Sequence, residues 1–411
     1  MKSDLDQLMD ARGFDALVVM GPMPENPLLR YMANGARITD GTLIKRRGAD
    51  PVLVCGSMER EEAAKSGLQV ALYSDFYPQP DPKAPPAPPT NLFEKYTQML
   101  KAILEHAGAD RGTISFYGRG DPGKSHLELT RLAELMPDVR ITGEVETSLF
   151  DEACSTKDAA EIAAIKEVAV RTDRVVGLVI DFIKGHRVAD EILIKEDGTP
   201  LTIGDVKRRM RVWLAEENLD GGGETIFAIG RDAGIPHSRG QDNDALRLGR
   251  TIIFDIFPRE QGGGYYHDMT RTFCLGYAPP EVQAAYDQVQ HIFHQVMEAV
   301  NVGTNYRDLQ NLTCDFFEKL GHSTVRSNPR GQAGYVHGLG HGLGLEIHER
   351  PRMYSDSIDV VKPGHVITIE PGLYYPEQGF GVRLEDTVYI DEQGEAHSLT
   401  PYPKDLIIPM G

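Results

Sequence analysis

Cysteine is scarce in this chain. Its four cysteines, Cys55, Cys154, Cys274 and Cys314, lie far apart and form neither CxxC nor any other zinc spacing. This argues against a disulfide framework or a thiolate zinc cluster. It suggests reduced, buried thiols in a cytoplasmic protein. No apolar run approaches membrane-spanning length. The opening segment, MKSDLDQLMDARGFDALVVMG, alternates charged and apolar residues and lacks the apolar core of a signal peptide. Positive charge is also in deficit: 43 Lys and Arg against 61 Asp and Glu leave a net charge of −18. Neither nucleic acid nor a membrane is therefore an expected partner. The rest is ordinary for a globular chain, with 41% hydrophobic and 25% charged residues. At 411 residues the chain can build two sizeable cores.

Residues 1–150 read as alternating helix and strand. Leu5 to Arg12 suits a short amphipathic helix, and DALVVM (15–20) a buried strand. TLIKRRGADPVLVC (42–55) suits two strands around a Gly-Ala-Asp-Pro turn. A helix at 57–66 and a strand at 68–76 follow. PQPDPKAPPAPP (78–89) carries seven prolines and reads as an extended loop. A helix (91–107), strand (112–118), helix (126–136) and strand (138–145) complete a compact α/β unit. A boundary near 148–156 opens a second unit, 151–411, with long helices at 157–183, 280–300 and 305–320. Strands and glycine-rich turns fill the remainder, so this unit reads as α+β.

GRGDPGKS (118–125) matches GxxxxGK[ST], the phosphate-loop pattern, between a strand and a helix. Against that reading, Pro122 removes one backbone N–H that would cradle phosphate. No later strand in this unit ends in a magnesium-binding acid. A glycine-rich strand-to-helix turn is the better reading.

HGLGHGLGLEIHERP (337–351) packs three histidines and four glycines into one stretch. A helix would place His337 and His341 on one face, the spacing of a two-histidine metal site. Four alternating glycines each disfavour a helix by roughly 1 kcal/mol relative to alanine. The period of two predicts an extended strand, with His337, Leu339, His341, Leu343 and Leu345 on one face and bare glycine on the other. Residues four apart in a strand are about 13 Å apart, so His337 and His341 cannot hold the same ion. The bare face lets another backbone or a substrate come close.

Acids interrupt several apolar strands. Asp255 follows TIIF, and Asp268 follows YYH across a GGG tip that allows a hairpin to bring the two together. Glu370 ends VITI before Pro-Gly. In GVRLEDTVYI, Arg383 and Glu385 share a face and Asp386 points the other way. A buried carboxylate is costly unless paired or metal-bound. Four of them with one imidazole form an oxygen-rich donor set suited to two divalent ions, with Mn, Co, Fe or Zn plausible. Paired ions can hold a bridging hydroxide and polarise a carbonyl, which indicates amide hydrolysis.

HDMTRTF, HGLGHGLGLEIHE, TIEPGLYY and GVRLED, in that order, resemble the signature segments of the creatinase/Xaa-Pro peptidase/methionine aminopeptidase group, the pita-bread metallopeptidases. The resemblance implies an α+β pita-bread catalytic domain after a smaller α/β creatinase-type N-terminal domain. It implies five metal ligands, Asp255, Asp268, His341, Glu370 and Glu385, with Asp268 and Glu385 bridging two ions, manganese favoured. It also implies catalytic or substrate-facing roles for His237, His337 and His348, and places Arg383 beside the metal carboxylates. Members are often homodimers. All five ligand types are present, unlike in creatinases. Two features depart from the pattern: the aspartates are thirteen apart, two more than usual, and SRG follows His237 where a Tyr-containing segment is frequent.

Within that group, prolidases cut Xaa-Pro dipeptides and aminopeptidases P cut longer chains beginning Xaa-Pro. A dipeptide enzyme must bind the free proline carboxylate, for which an arginine fork is suited. HERPRM supplies Arg350 and Arg352, and Arg352 matches the carboxylate-binding position of microbial prolidases. A dipeptidase is thus the leading expectation and aminopeptidase P its rival. A small-molecule hydrolase or lyase of the same fold is a further alternative.

Overall fold

In DALVVM every second residue faces the same way, and both faces are apolar. In the computed structural model, Ala16–Pro22 is accordingly a strand, its first four residues buried on both sides. Leu17 and Val19 pack with Leu5, Met9 and Phe150. Ala16 and Val18 pack with Met99, Leu100 and Ile103. The structure describes residues 4–77, 91–221 and 225–410. The proline-rich segment 78–89 lies outside them.

The chain forms two compact units, Met1–Ala153 and Cys154–Gly411. The first holds a six-stranded mixed sheet in the order Gln69–Leu72, Val52–Cys55, Asp40–Arg46, Ala16–Pro22, Gly112–Gly118 and Val139–Thr142. Helices cover both faces. The strand expected over 68–76 ends at Leu72, because Tyr73–Phe76 turns into a 3-10 helix whose Asp75 carboxylate accepts from the Leu72 N–H. The phosphate-loop motif is a helix start: Pro122 opens Pro122–Leu135, four residues earlier than the pattern suggests. Asp121 caps it, accepting from the Lys124 N–H at 2.8 Å. A carboxylate occupies the position an anion would need.

The second unit has a four-stranded sheet, Ile226–Ile229, Thr251–Ile256, Met269–Leu275 and Ile407–Ile408. A five-stranded sheet runs Glu349–Met353, Gly340–Gly342, Val366–Ile369, Asp386–Ile390 and Ala396–Ser398. Helices Ala159–Lys184 and Ile203–Glu216 share one core with the first sheet. Pro280–Ala299 and Tyr306–Lys319 share another with the second. Ile203–Glu216 is an unexpected helix. Its charged run KRRMR hides the apolar stripe, but Thr202 and Asp205 form a reciprocal capping box at its start. Among the described residues no helix is long and apolar enough to cross a membrane.

The glycine-histidine stretch departs from expectation. Within 337–348 only Gly340–Gly342 is strand: the register shifts between His341 and Gly342, and residues 343–348 bend before the next strand opens at Glu349. The bare face is filled by backbone: a Cβ at Gly340 would lie 2.1 Å from the Thr368 carbonyl oxygen, and one at Gly342 2.1 Å from that of Arg350. Gly342→Ala should therefore destabilise the protein by about 1–3 kcal/mol, read from the urea midpoint. Gly177→Ala is the control. It sits in Ala159–Lys184 with nothing within 4 Å of the new methyl, and it should stabilise by about 0.5–1 kcal/mol. Equal shifts in both variants would contradict the close-approach explanation.

Candidate metal centre

Two antiparallel pairings assemble the site. Thr251–Ile256 pairs with Met269–Leu275, setting Asp255 opposite Thr270 and leaving Asp268 just before the second strand. A bridge between Thr270 and Glu385 then joins this sheet to the segment linking Phe380–Arg383 and Asp386–Ile390. Glu370 follows Val366–Ile369, and His341 sits in the adjacent strand. Four carboxylates and one imidazole from distant segments thus line one cavity of about 570 Å³.

Ligand atoms of Asp268, His341 and Glu385 all lie within 4.8 Å of one another. His341 Nε2 is 3.7 Å from Asp268 Oδ2 and 3.7 Å from Glu370 Oε1. His341 Nδ1 lies 3.0 Å from the Gly342 carbonyl oxygen. A carbonyl only accepts, so Nδ1 carries the proton and the Nε2 lone pair faces the space that the carboxylates surround, where a cation would take it. Burial pushes the His341 pKa down to about 3, which keeps the ring neutral.

The acids are strained electrostatically. Burial, then Asp255 and Glu370, raise Asp268 well above the usual carboxylate range. Burial, then Asp268 and Glu370, do the same for Glu385. Burial pushes Glu370 up to about 8. Asp255 Oδ1 and Asp268 Oδ1 are buried without a hydrogen-bond partner. Arg383 is the buried cation among them, its side chain 3% exposed and 2.5 Å from Asp255 Oδ2. Four converging carboxylates, two orphaned oxygens and a neutral imidazole suit divalent cations, which would supply the missing positive charge.

Hydrogen bonds fix the surroundings. Thr270 Oγ1 donates to Glu385 Oε2 at 2.7 Å and accepts from Arg383 Nε at 3.1 Å. Arg383 Nη1 donates to the Tyr374 hydroxyl at 2.8 Å. That hydroxyl donates to His337 Nε2 at 2.8 Å, and His337 Nδ1 donates to the Gly338 carbonyl at 2.7 Å. Both nitrogens of His337 are therefore engaged within the protein. Sequence reasoning missed Thr270 and Tyr374. Thr270 stands two residues after Asp268 and shares its strand face, a period-two signal. Tyr374 carries no such signal.

His237 is exposed on the cavity wall. The bend after Gly342 carries His348 back onto His341, ring centroids 4.4 Å apart and edge to face. Arg352 is the cross-strand partner of His341, so its exposed side chain leaves the sheet on the same face. Arg350 instead pairs with Asp359 at 2.7 Å. Asp386 pairs with Arg271 at 3.0 Å and Lys404 at 2.6 Å, away from the cluster.

Residues 163–392 match the model of metallopeptidase family M24. The chain is 30% identical to the Xaa-Pro dipeptidase of Pyrococcus furiosus over 328 residues, covering 78% of this chain and 81% of the relative. It superposes on the Xaa-Pro dipeptidase from Bacillus anthracis with a TM-score of 0.75 at 21% identity, covering 98% of each chain. It superposes equally on the X-Pro aminopeptidase from Thermotoga maritima, with a TM-score of 0.75 at 20% identity, covering 98% of this chain and 100% of the other. Both structural likenesses are of fold.

Proposed function

The chain belongs to metallopeptidase family M24, with the pita-bread fold in its second unit, and from that premise we propose that it hydrolyses the Xaa-Pro bond of dipeptides. One observation carries the reading. Asp268, His341 and Glu385 converge within 4.8 Å at the floor of a cavity onto whose face Arg352 projects. Asp255 and Glu370 complete a five-residue set for two divalent ions. Manganese is the favoured metal, since four of the five donors are carboxylates. When bound, such ions would supply an activated water and Lewis-acid polarisation of the carbonyl before proline.

The chain's own residues supply the rest. His237 and His348 donate hydrogen bonds to the substrate carbonyl oxygen as it gains negative charge. The proline nitrogen of an Xaa-Pro bond carries no hydrogen, so it must gain a proton to leave. Glu370 is the carboxylate that takes the proton given up by the attacking water and passes it to that nitrogen. Arg352 holds the proline carboxylate in a two-pronged bond. His337, engaged by Gly338 and Tyr374, acts by keeping Tyr374 and Arg383 in place. The few, widely spaced cysteines support a cytoplasmic location, and the homodimer implied by the resemblance is open to sedimentation analysis.

Turnover of Ala-Pro, Ala-Pro-Xaa tripeptides and non-peptide amides by the Mn²⁺- and Co²⁺-loaded enzyme tests the proposal. Ala-Pro should be the best substrate. Hydrolysis of the tripeptides alone would favour an aminopeptidase P, and no Xaa-Pro turnover would defeat both readings. Arg352→Ala should raise KM for Ala-Pro by about tenfold or more, the value of one charged hydrogen-bonding contact, and leave the tripeptides nearly unchanged. Equal effects on both would remove the carboxylate role.

A further inference from the structure

A charged pair lies buried beside the cavity and outside the metal set. Lys157 stands two residues before helix Ala159–Lys184. Its Nζ donates to Glu349 Oε2 at 2.8 Å, with the side chains 2% and 10% exposed. The backbone of Lys157 is itself held, its N–H donating to the Gly364 carbonyl at 2.7 Å. Asp158 and Glu161 cap the helix that follows in a reciprocal box. The backbone that carries the ammonium is thus held on both sides of Lys157.

Glu349, its partner, follows His348 directly and lines the cavity. The other carboxylate oxygen accepts from the Glu346 N–H at 3.0 Å. Gly344 closes over the same group: a Cβ there would lie 2.4 Å from Glu349 Oε2. Residues 343–348 therefore wrap around one carboxylate, and they contain no regular helix or strand. Leu343 and Ile347 also pack against Ile162 and Ile165 of the helix. Apolar packing is non-directional and tolerates rotation of the loop. A buried ion pair is directional, because either charge left alone is heavily penalised.

We propose that Lys157 is a positioning residue for catalysis: through Glu349 it sets the loop 343–348 and so aims the imidazole of His348 at the substrate. The inference rests on the reading of His348 as a substrate-facing donor. Lys157 touches no substrate itself. It works from a segment almost two hundred positions earlier in the chain.

The test uses full-length, metal-loaded protein carrying Lys157→Met, Lys157→Arg or Glu349→Gln, each also combined with His348→Ala. Hydrogen exchange of peptides covering 343–349 should speed up about tenfold in Lys157→Met, with strands Val366–Ile369 and Asp386–Ile390 unchanged. kcat/KM for Ala-Pro should fall about tenfold or more, as expected for a misplaced donor. In the His348→Ala background the same substitution should cost less than about twofold, because the two residues act in series. Lys157→Arg should restore most of both. Unchanged exchange, or the same fold-loss with and without His348, would overturn the proposal. If Lys157→Met does not fold, Glu349→Gln keeps the shape and an acceptor oxygen and carries the same readouts. If the wild-type enzyme cleaves no Xaa-Pro bond, the dipeptidase reading fails and the positioning role with it, while the exchange measurement still decides whether Lys157 sets the loop.

Discussion

Stripping divalent ions with a chelator, then removing the chelator, should abolish Ala-Pro hydrolysis and lower the melting temperature, with both recovered on adding Mn²⁺. Loss of Lewis-acid activation amounts to several kcal/mol of barrier, so kcat should fall by about 10³-fold or more. The stability change follows from binding linkage. An ion at a hundred times its Kd stabilises the folded chain by about 2.7 kcal/mol. Two such ions correspond to a shift of roughly 10 °C for a unit of this size. The metal-free site has few other means of balancing its charge: Asp255, Asp268, Glu370 and Glu385 converge on the Arg383 guanidinium. A chelated protein that keeps its activity would sink the metallopeptidase mechanism.

The same crowding gives the pH dependence a sign. Burial raises Glu370 from its ordinary value near 4.5 to about 8. Through that window the folded metal-free protein holds a proton that the unfolded chain has released. Its stability is therefore full below the lower value and falls as pH rises toward the upper. Metal binding needs the deprotonated form and so gains as pH rises. The melting-temperature increment from Mn²⁺ should grow between pH 6 and pH 8. A constant increment would show that Glu370 is not driven toward its protonated form in the empty site.

The acids were legible because each breaks an apolar strand, and an unpaired buried carboxylate needs a partner. Their convergence was legible as far as hairpin geometry reaches: Asp255 and Asp268 flank one turn. The bending of 343–348 was not. Period-two alternation predicts a longer strand, but the register shifts after His341, where Gly342 lies against the backbone of Arg350. That contact depends on the fold of 349–353, which no local pattern encodes. For the same reason an extended strand would carry His348 away from His341, whereas the bend packs the two rings together. In the sequence only the resemblance to microbial prolidases sets Arg352 apart from Arg350; charge and neighbours do not. Pairing with Asp359 separates them, leaving Arg352 on the cavity face. The Lys157–Glu349 bond spans 192 positions and has no local signature.

The second large effect is expected at Arg383. Arg383→Met should cost about 3–5 kcal/mol of stability, because it strands a buried carboxylate that the guanidinium now neutralises. The loss extends past one pair. The fork reaches Asp255 Oδ2, the Tyr374 hydroxyl, Thr270 Oγ1 and the Pro236 carbonyl. Through Thr270 it also orders Glu385, and through Tyr374 it orders His337. Arg383→Lys keeps the charge but offers a point donor in place of a planar fork. It should recover part of the stability and little of the metal binding. Metal affinity by calorimetry should drop about 10- to 100-fold in both variants, the usual effect of removing a group that orients ligands. Urea unfolding of the chelated proteins separates the two contributions. A Lys variant with wild-type metal affinity would show that charge alone, without the fork, holds Asp255 and Glu385 in place.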